Sequence, residues 1–319
     1  FSMDHSQPNK DRIVLLGRSS DYMSWPEESW KIGRMYPEIE NTCCVVSQGG
    51  TIRTDEESFK DMEGNPVLLV DSTFFSMFSF DFVEGDPGNA LSSPDKCVIT
   101  ESLADVLFPD VDPMGEALRI IGQRSVTISG RDPYDSTRVY TVSGVVRDFD
   151  KTVFPNDTKI IASIDRHPQI LGYNMTSDVF VSTGHGCFKT FYLLAKGASL
   201  DSKREDIWSM LKADIPMLEF FAGSGISSAS ITPLRKVMFD PQNDGLGLEK
   251  GNKVLLVILL SAVIAILLFA VTNYINLTVA NTGMRAREMA TRRLLGGSSR
   301  EIIVKLVGES TLMVLISFL

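Results

Sequence analysis

The chain has 319 residues, 44% of them hydrophobic and 22% charged, an ordinary globular composition long enough for about two domains. Its net charge of -9 is divided unevenly, with -12 over residues 1–253 and +3 over 254–319. The acidic part would repel a phosphate backbone, which argues against a nucleic-acid role, and two parts of opposite sign are expected to face different surroundings.

The opening FSMDHSQPNKDRIV has no apolar core of the kind a signal peptide needs, and so abrupt a start reads as a fragment. DRIVLLG (11–17) reads as a strand. SWPE (24–27) reads as a capping box with proline in the first turn of a helix that runs out near Pro37, and NTCCVVSQ resumes extended structure. Thr100 to Phe108 is expected to form a short helix with Leu103 and Leu107 facing inward. VTISG (126–130) and VYTVSGVV (139–146) bracket the turn-forming RDPYDSTR and look like a hairpin. TFYLLAKG (190–197) is a strand; Ser202 with Glu205 caps a helix carrying Ile207, Met210 and Leu211, and ASITPLRKVMF (229–239) returns to strand. The expected fold is therefore α+β: two strand-helix-strand halves, about 1–75 and 186–240, with a β-rich section inserted at about 76–185.

Signs of chemistry are sparse. Cys43, Cys44, Cys97 and Cys187 lack the paired spacing of a zinc site and are too few for a disulfide scaffold, so they are expected as buried small hydrophobes, with one long-range bridge left open. The histidines are His5, His167 and His185, and His185-Gly186-Cys187 reads as a loop rather than a metal site. There is no G-x-x-x-x-G-K-[ST] phosphate loop. Neither a cofactor, a metal nor enzymatic activity is expected of this chain, and the sequons at Asn156 and Asn174 carry no weight.

VLLVILLSAVIAILLFAV (254–271) has Ser261 as its one polar side chain and no charge follows until Arg285. At about 1.5 Å per residue it covers roughly 27 Å, close to a hydrocarbon core of ~30 Å. A membrane span is expected over 254–280. Arg285, Arg287, Arg292 and Arg293 follow it, against Lys250 and Lys253 before it, which places the tail in the cytoplasm and the acidic domain outside.

Beyond the span, Glu288 and Arg292 stand four apart in the favourable order for a helical ion pair, so the helix is expected to continue to about Leu295. Gly296 and Gly297 end it, and Ser298 with Glu301 opens a second helix bearing Ile302, Ile303, Leu306, Val307, Met313 and Val314. That helix heads back toward the membrane and stops at Leu319, before a crossing is complete. Residues 281–300 thus form a basic helical corner.

Two blocks carry a family resemblance. NLTVANTGMRAREMATRRLLGGSSREIIVKLVGES resembles the corresponding segment of FtsX-like ABC transporter permeases at Asn276, Leu277, Ala280, Arg285, Glu288, Arg292, Arg293, Gly296, Ser298, Glu309 and Ser310; Ala290 and Gly297 depart from it by exchanging small residues. Residues 67–118, VLLVDSTFFSMFSFDFVEGDPGNALSSPDKCVITESLADVLFPDVDPMGEAL, are similar to the core domain of MacB-like permeases. The resemblance implies a periplasmic core domain over 1–253, with porter-like halves around the inserted β-rich subdomain, then the span at 254–280, a coupling corner at 281–300 and the start of a further membrane helix at 301–319. It implies a multi-pass bacterial inner-membrane protein, here without its first membrane helix and its last two. The corner, with Arg285, Glu288, Arg292, Arg293, Gly296, Gly297 and Ser298, would dock on a separate ATPase subunit. Two permease chains would work together, with a periplasmic adaptor or substrate as a further partner, in efflux or export of a peptide, antibiotic or lipoprotein-type substrate by mechanotransmission. The alternative is a membrane-anchored extracytoplasmic sensor, which would leave the membrane as a long coiled coil rather than stop at Gly-Gly.

Overall fold

The computed structural model describes residues 7–18, 22, 24, 26–48, 50–53, 59–61, 66–122, 137–163, 188–214, 218, 228–243, 245, 247–280, 283, 286–287, 290–291, 294–296, 300, 303–304, 307–308 and 311–312. The chain divides into two compact units, Phe1–Gly251 and Asn252–Leu319.

In the first unit the strands are β1 (Ile13–Arg18), β2 (Ile39–Gln48), β3 (Gly50–Arg53), β4 (Phe59–Asp61), β5 (Val67–Val70), β6 (Phe82–Gly85), β7 (Lys96–Thr100), β8 (Ala117–Gly122), β9 (Thr137–Val146), β10 (Ile160–Ser163), β11 (Lys189–Leu194) and β12 (Ala229–Pro233). The helices are α1 (Pro26–Met35), α2 (Phe74–Met77), α3 (Glu101–Leu107), α4 (Arg204–Asp214) and α5 (Leu234–Val237). Among the described residues the strands join one sheet in the order β12, β1, β11, β2, β5, β10, β7, β9, β8, β3, β4, with β6 also on β9. The pairs β5–β10 and β7–β9 are parallel and the others antiparallel.

Strands β1, β5, β10 and β11 are buried at every position, as expected of strands covered on both faces. The twofold alternation of side chains divides them between two cores. One holds Val14, Leu16, Cys44, Leu69, Ile99 and Tyr192 under Ile32 of α1, Leu103 of α3, and Ile207, Trp208 and Leu211 of α4. The other holds Ile13, Leu15, Cys43, Leu68, Val98 and Phe191 against an aromatic group around Phe74, Phe78, Phe149 and Phe154. Consecutive Cys43 and Cys44 therefore face opposite cores. Both are free, as is Cys97, and burial raises all three thiols above their usual range. Helix α1 lies tight on β2 because Gly33 has no Cβ; one added there would stand 2.0 Å from the Thr42 hydroxyl.

Several local readings change. Ser24 bridges to β11, bonding the Phe188 carbonyl at 3.1 Å and Thr190 Oγ1 at 2.6 Å, so its hydroxyl is committed to a long-range network that also takes in Ser29. Ser202 lies inside a 3-10 turn, Asp201–Lys203, that precedes α4; the turn's amide bond comes from Asp201 N to Ser199 Oγ at 3.2 Å. Strand β12 stops at Pro233, where the chain bends into α5 and buries Leu234 and Val237. Leu103 is buried and Leu107 half-buried, and α3 is capped from outside: Asp148 accepts from the Ser102 amide at 3.0 Å. Strand β9 pairs with β8, Ile121 opposite Thr137, as well as with β7 and β6; the other arm of the expected hairpin, 126–130, lies outside the described residues. The boundaries at 75 and 185 do not mark a break in the sheet. Strands β3 and β4, from the first half, pair beside β8 at the far end, and β10, from the inserted section, lies parallel to β5.

Candidate functional site

In the second unit, α6 (Lys253–Ala280) is a 28-residue helix with every position exposed and an apolar mean hydropathy of 3.4 over its best window. Asn252 caps it: its Oδ1 accepts from Leu255 N at 2.9 Å. Hydrocarbon offers no partner to a polar group, and the serine and threonine hydroxyls on this helix are satisfied within it. Ser261 donates to the Ile258 carbonyl, Thr272 to Leu268 and Thr278 to Tyr274, each at 2.8 Å. By length and composition it is the one such helix among the described residues.

Of the corner residues, Arg285, Glu288, Arg292, Arg293, Gly297 and Ser298 lie outside the described residues. Around them, 283, 286–287, 290–291 and 294 are helical, and Leu295 N still bonds the Thr291 carbonyl at 3.1 Å. Gly296 then takes φ +88°, in the left-handed region that ends helices. Nothing lies within 4 Å of the position a Cβ would take there, so a side chain would strain the backbone without clashing. Past the turn, described residues 300, 303–304, 307–308 and 311–312 are again helical.

The first unit ends in a non-repetitive segment, described at residues 238–243, 245 and 247–251, whose structure the sequence did not suggest. Asn243, fully buried, donates Nδ2 to the Val237 carbonyl at 3.2 Å and the Glu249 carbonyl at 2.7 Å, while its Oδ1 accepts from Gly245 N at 3.0 Å. Glu249 N bonds the Val153 carbonyl at 2.9 Å, Glu249 Oε1 accepts from Asn156 N at 2.8 Å, and Gly251 N bonds the Met238 carbonyl at 2.8 Å. Leu248 plugs into the aromatic core. At the chain's other end, the Gln7 amide makes two bonds with the Ser79 backbone, at 2.7 and 2.6 Å, between Phe78 and Phe80. Both ends of the domain are thus fastened at its phenylalanine core. A signal for this existed in STFFSMFSFDF, which places five phenylalanines at 74, 75, 78, 80 and 82.

Two further places gather polar side chains. An open groove of about 500 Å³ is lined by Asp201, Arg204, Ser230, Thr232, Lys236 and Asp240 among others, and Arg204 is already paired with Asp201 at 2.5 Å. Ser102, Lys159 and Asp148 meet, with Lys159 Nζ 2.7 Å from Ser102 Oγ, but the Ser102 hydroxyl donates to Asp148 at 2.5 Å. The Asp148 carboxylate takes both the amide and the hydroxyl of Ser102, which ties the start of α3 to the connection after β9. Among the described residues no cluster of His, Cys, Asp and Glu could hold a metal.

Comparison with known proteins bears on the first unit. The sequence profile of the family described as MacB-like periplasmic core domain matches residues 2–208. No curated protein sequence matches the chain. Among solved structures, a domain of a protein described as a permease from Porphyromonas gingivalis has 20% identity, covers 79% of this chain and 98% of its own, and has a TM-score of 0.49. The periplasmic region of MacB from Actinobacillus actinomycetemcomitans has 11% identity, 70% and 89% coverage and a TM-score of 0.43. The extracellular domain of the noncanonic ABC-type transporter YknZ from Gram-positive bacteria has 12% identity, 69% and 99% coverage and a TM-score of 0.39. The family profile spans well over half of the chain, from before β1 into α4, and the chain belongs to the MacB-like family, whose periplasmic core domain it carries.

Proposed function

We propose that the chain is part of the permease subunit of an ABC transporter and that its work is mechanical. A separate ATPase subunit docks on the corner at 281–300, nucleotide-driven closure of that ATPase displaces the corner, and the membrane helix carries the displacement to the periplasmic domain. Two permease chains make the working unit, a periplasmic adaptor or the substrate meets the domain, and the cargo is of peptide, antibiotic or lipoprotein type. The subunit is multi-pass in the bacterial inner membrane, and the chain itself performs no chemistry. The observation that carries this reading is the joining, in one chain, of a MacB-like periplasmic core domain to a capped apolar helix of 28 residues.

The docking step has a direct test. Gly296→Val strains a left-handed position, and Glu288→Lys replaces a helical attraction by a repulsion. Each costs on the order of 1 kcal/mol locally, so membrane abundance should hold while co-purification with the ATPase and transporter-stimulated ATP hydrolysis fall. If both variants bind and turn over like the parent at matched abundance, the corner is not a docking site and its arginines serve only topology.

A further inference from the structure

A connection without regular structure at its described residues, next to a long apolar helix, is ordinarily slack chain. Residues 238–251 are not slack. The segment is closed on itself by Asn243, which joins 237, 245 and 249, and by the bond from Gly251 N to Met238. It is also pinned sideways, because Glu249 makes one backbone and one side-chain bond to residues 153 and 156 and Leu248 is 3% exposed in the aromatic core. The two anchorages differ in kind. Residue 237 ends α5, directly after edge strand β12, whereas 153–156 belong to the connection from β9 to β10. In the sheet β12 and β10 are five spacings apart, at most roughly 24 Å. Helix α6 begins two residues after Gly251.

We infer that residues 238–251 are a positioning strap, keyed by Asn243 and Glu249, that makes the β12–α5 edge and the β9–β10 connection move together when the chain is displaced at residue 252. Without the strap, a displacement arriving there would enter at β12 and reach β10 only across the five strand pairings that lie between them. The strap as a mechanical link stands on its own hydrogen bonds, and its part in transport rests on the function proposed above.

The test uses the full chain in membranes, with Cys187→Ser and spin labels at exposed Lys236 and Asp150, because Cys43, Cys44 and Cys97 are buried. The parent should give one narrow label-to-label distance. Glu249→Ala should broaden it and speed exchange of the Asn156 amide by about tenfold, the effect of one lost hydrogen bond of ordinary strength. Glu249→Gln, which keeps a carbonyl acceptor, should restore both. Asn243→Ala should broaden the distance further, and since it removes three bonds from the core, Glu249→Ala is the variant on which the inference is judged. With the ATPase present, Glu249→Ala should hydrolyse ATP at the parent's rate but lose the nucleotide-driven change in the periplasmic distance. A distance and an exchange rate unchanged in Glu249→Ala overturn the strap. A broadened distance with the nucleotide-driven change intact overturns its role in coupling. A parent chain that engages no ATPase overturns the transporter reading instead, and the label distances still decide the strap.

Discussion

Phe74 is the centre of the aromatic core. It is 0% exposed, and its ring centroid lies 5.2 Å from Phe75, 5.3 Å from Phe78, 5.4 Å from Phe80 and 5.2 Å from Phe154. Phe74→Ala removes a buried phenyl group from four aromatic neighbours, and with the cavity it leaves the cost is about 3–5 kcal/mol. Phe75 is a control of the same chemistry: it is half-buried and sits 5.0 Å from Phe82 and 6.0 Å from Phe80, at the border of the group. Losing about half of the transfer energy, Phe75→Ala should cost about 1–2 kcal/mol. In a unit of this size 1 kcal/mol corresponds to roughly 2–4 °C, which predicts a fall in Tm of roughly 6–20 °C for Phe74→Ala and roughly 2–8 °C for Phe75→Ala. Residues 1–251 expressed alone, followed by circular dichroism on heating and in urea, provide the measurement. Equal losses for the two variants would refute the view that the domain is organised on Phe74.

Burial raises the Cys43, Cys44 and Cys97 thiols, so none should react with an impermeant maleimide in intact cells. With Cys187→Ser added to make the background silent, Gly88→Cys, in an exposed turn, should label from outside and Ser299→Cys should not; labelling of Ser299→Cys alone would reverse the topology. Burial also pushes Asp148 up, but hydrogen bonds from Lys159 and Ser102 outweigh it and hold the carboxyl below its usual range. A depressed carboxyl stabilises the fold above its unfolded pKa near 4 and ceases to as pH falls through the lower folded value. Asp148→Asn should therefore be less stable than the parent at pH 7, with the gap closing below about pH 4; a gap independent of pH would contradict the ion-paired cap.

The parts of the fold legible in the sequence are those whose signal is local. Ile13 to Leu16, Thr190 to Leu194 and the apolar run from Val254 declare themselves because strands buried on both faces, and a helix long and apolar enough to cross a membrane, read as near-continuous hydrophobic runs. Gly296 sits in a conformation that favours glycine, so the end of the helix could be read from residue type. Ser24 misled because a capping-box pattern says nothing about Thr190, 166 positions away, which claims its hydroxyl. The positions of β3 and β4 beyond β8, and of β10 beside β5, are pairings between distant strands that periodicity does not encode. Asn243 stands in PQNDG, a run of turn formers that reads as solvent-facing loop; its burial depends on carbonyls brought to it by α5 and Glu249.

The register of β1 has a consequence for biogenesis. Among the described strands it comes first along the chain, and its neighbours, β11 and β12, come last: Ile13 lies opposite Leu193, and Val14 opposite both Tyr192 and Pro233. At roughly 5–20 residues per second, synthesis from Val14 to Pro233 takes roughly 10–45 s, during which IVLLGR is an unpaired apolar strand. The sheet closes only when Pro233 is available, and Lys253, the first residue of α6, follows twenty positions later. Closure of the sheet and emergence of the apolar helix α6 therefore fall in the same interval, and a delay in one leaves the other exposed to aggregation.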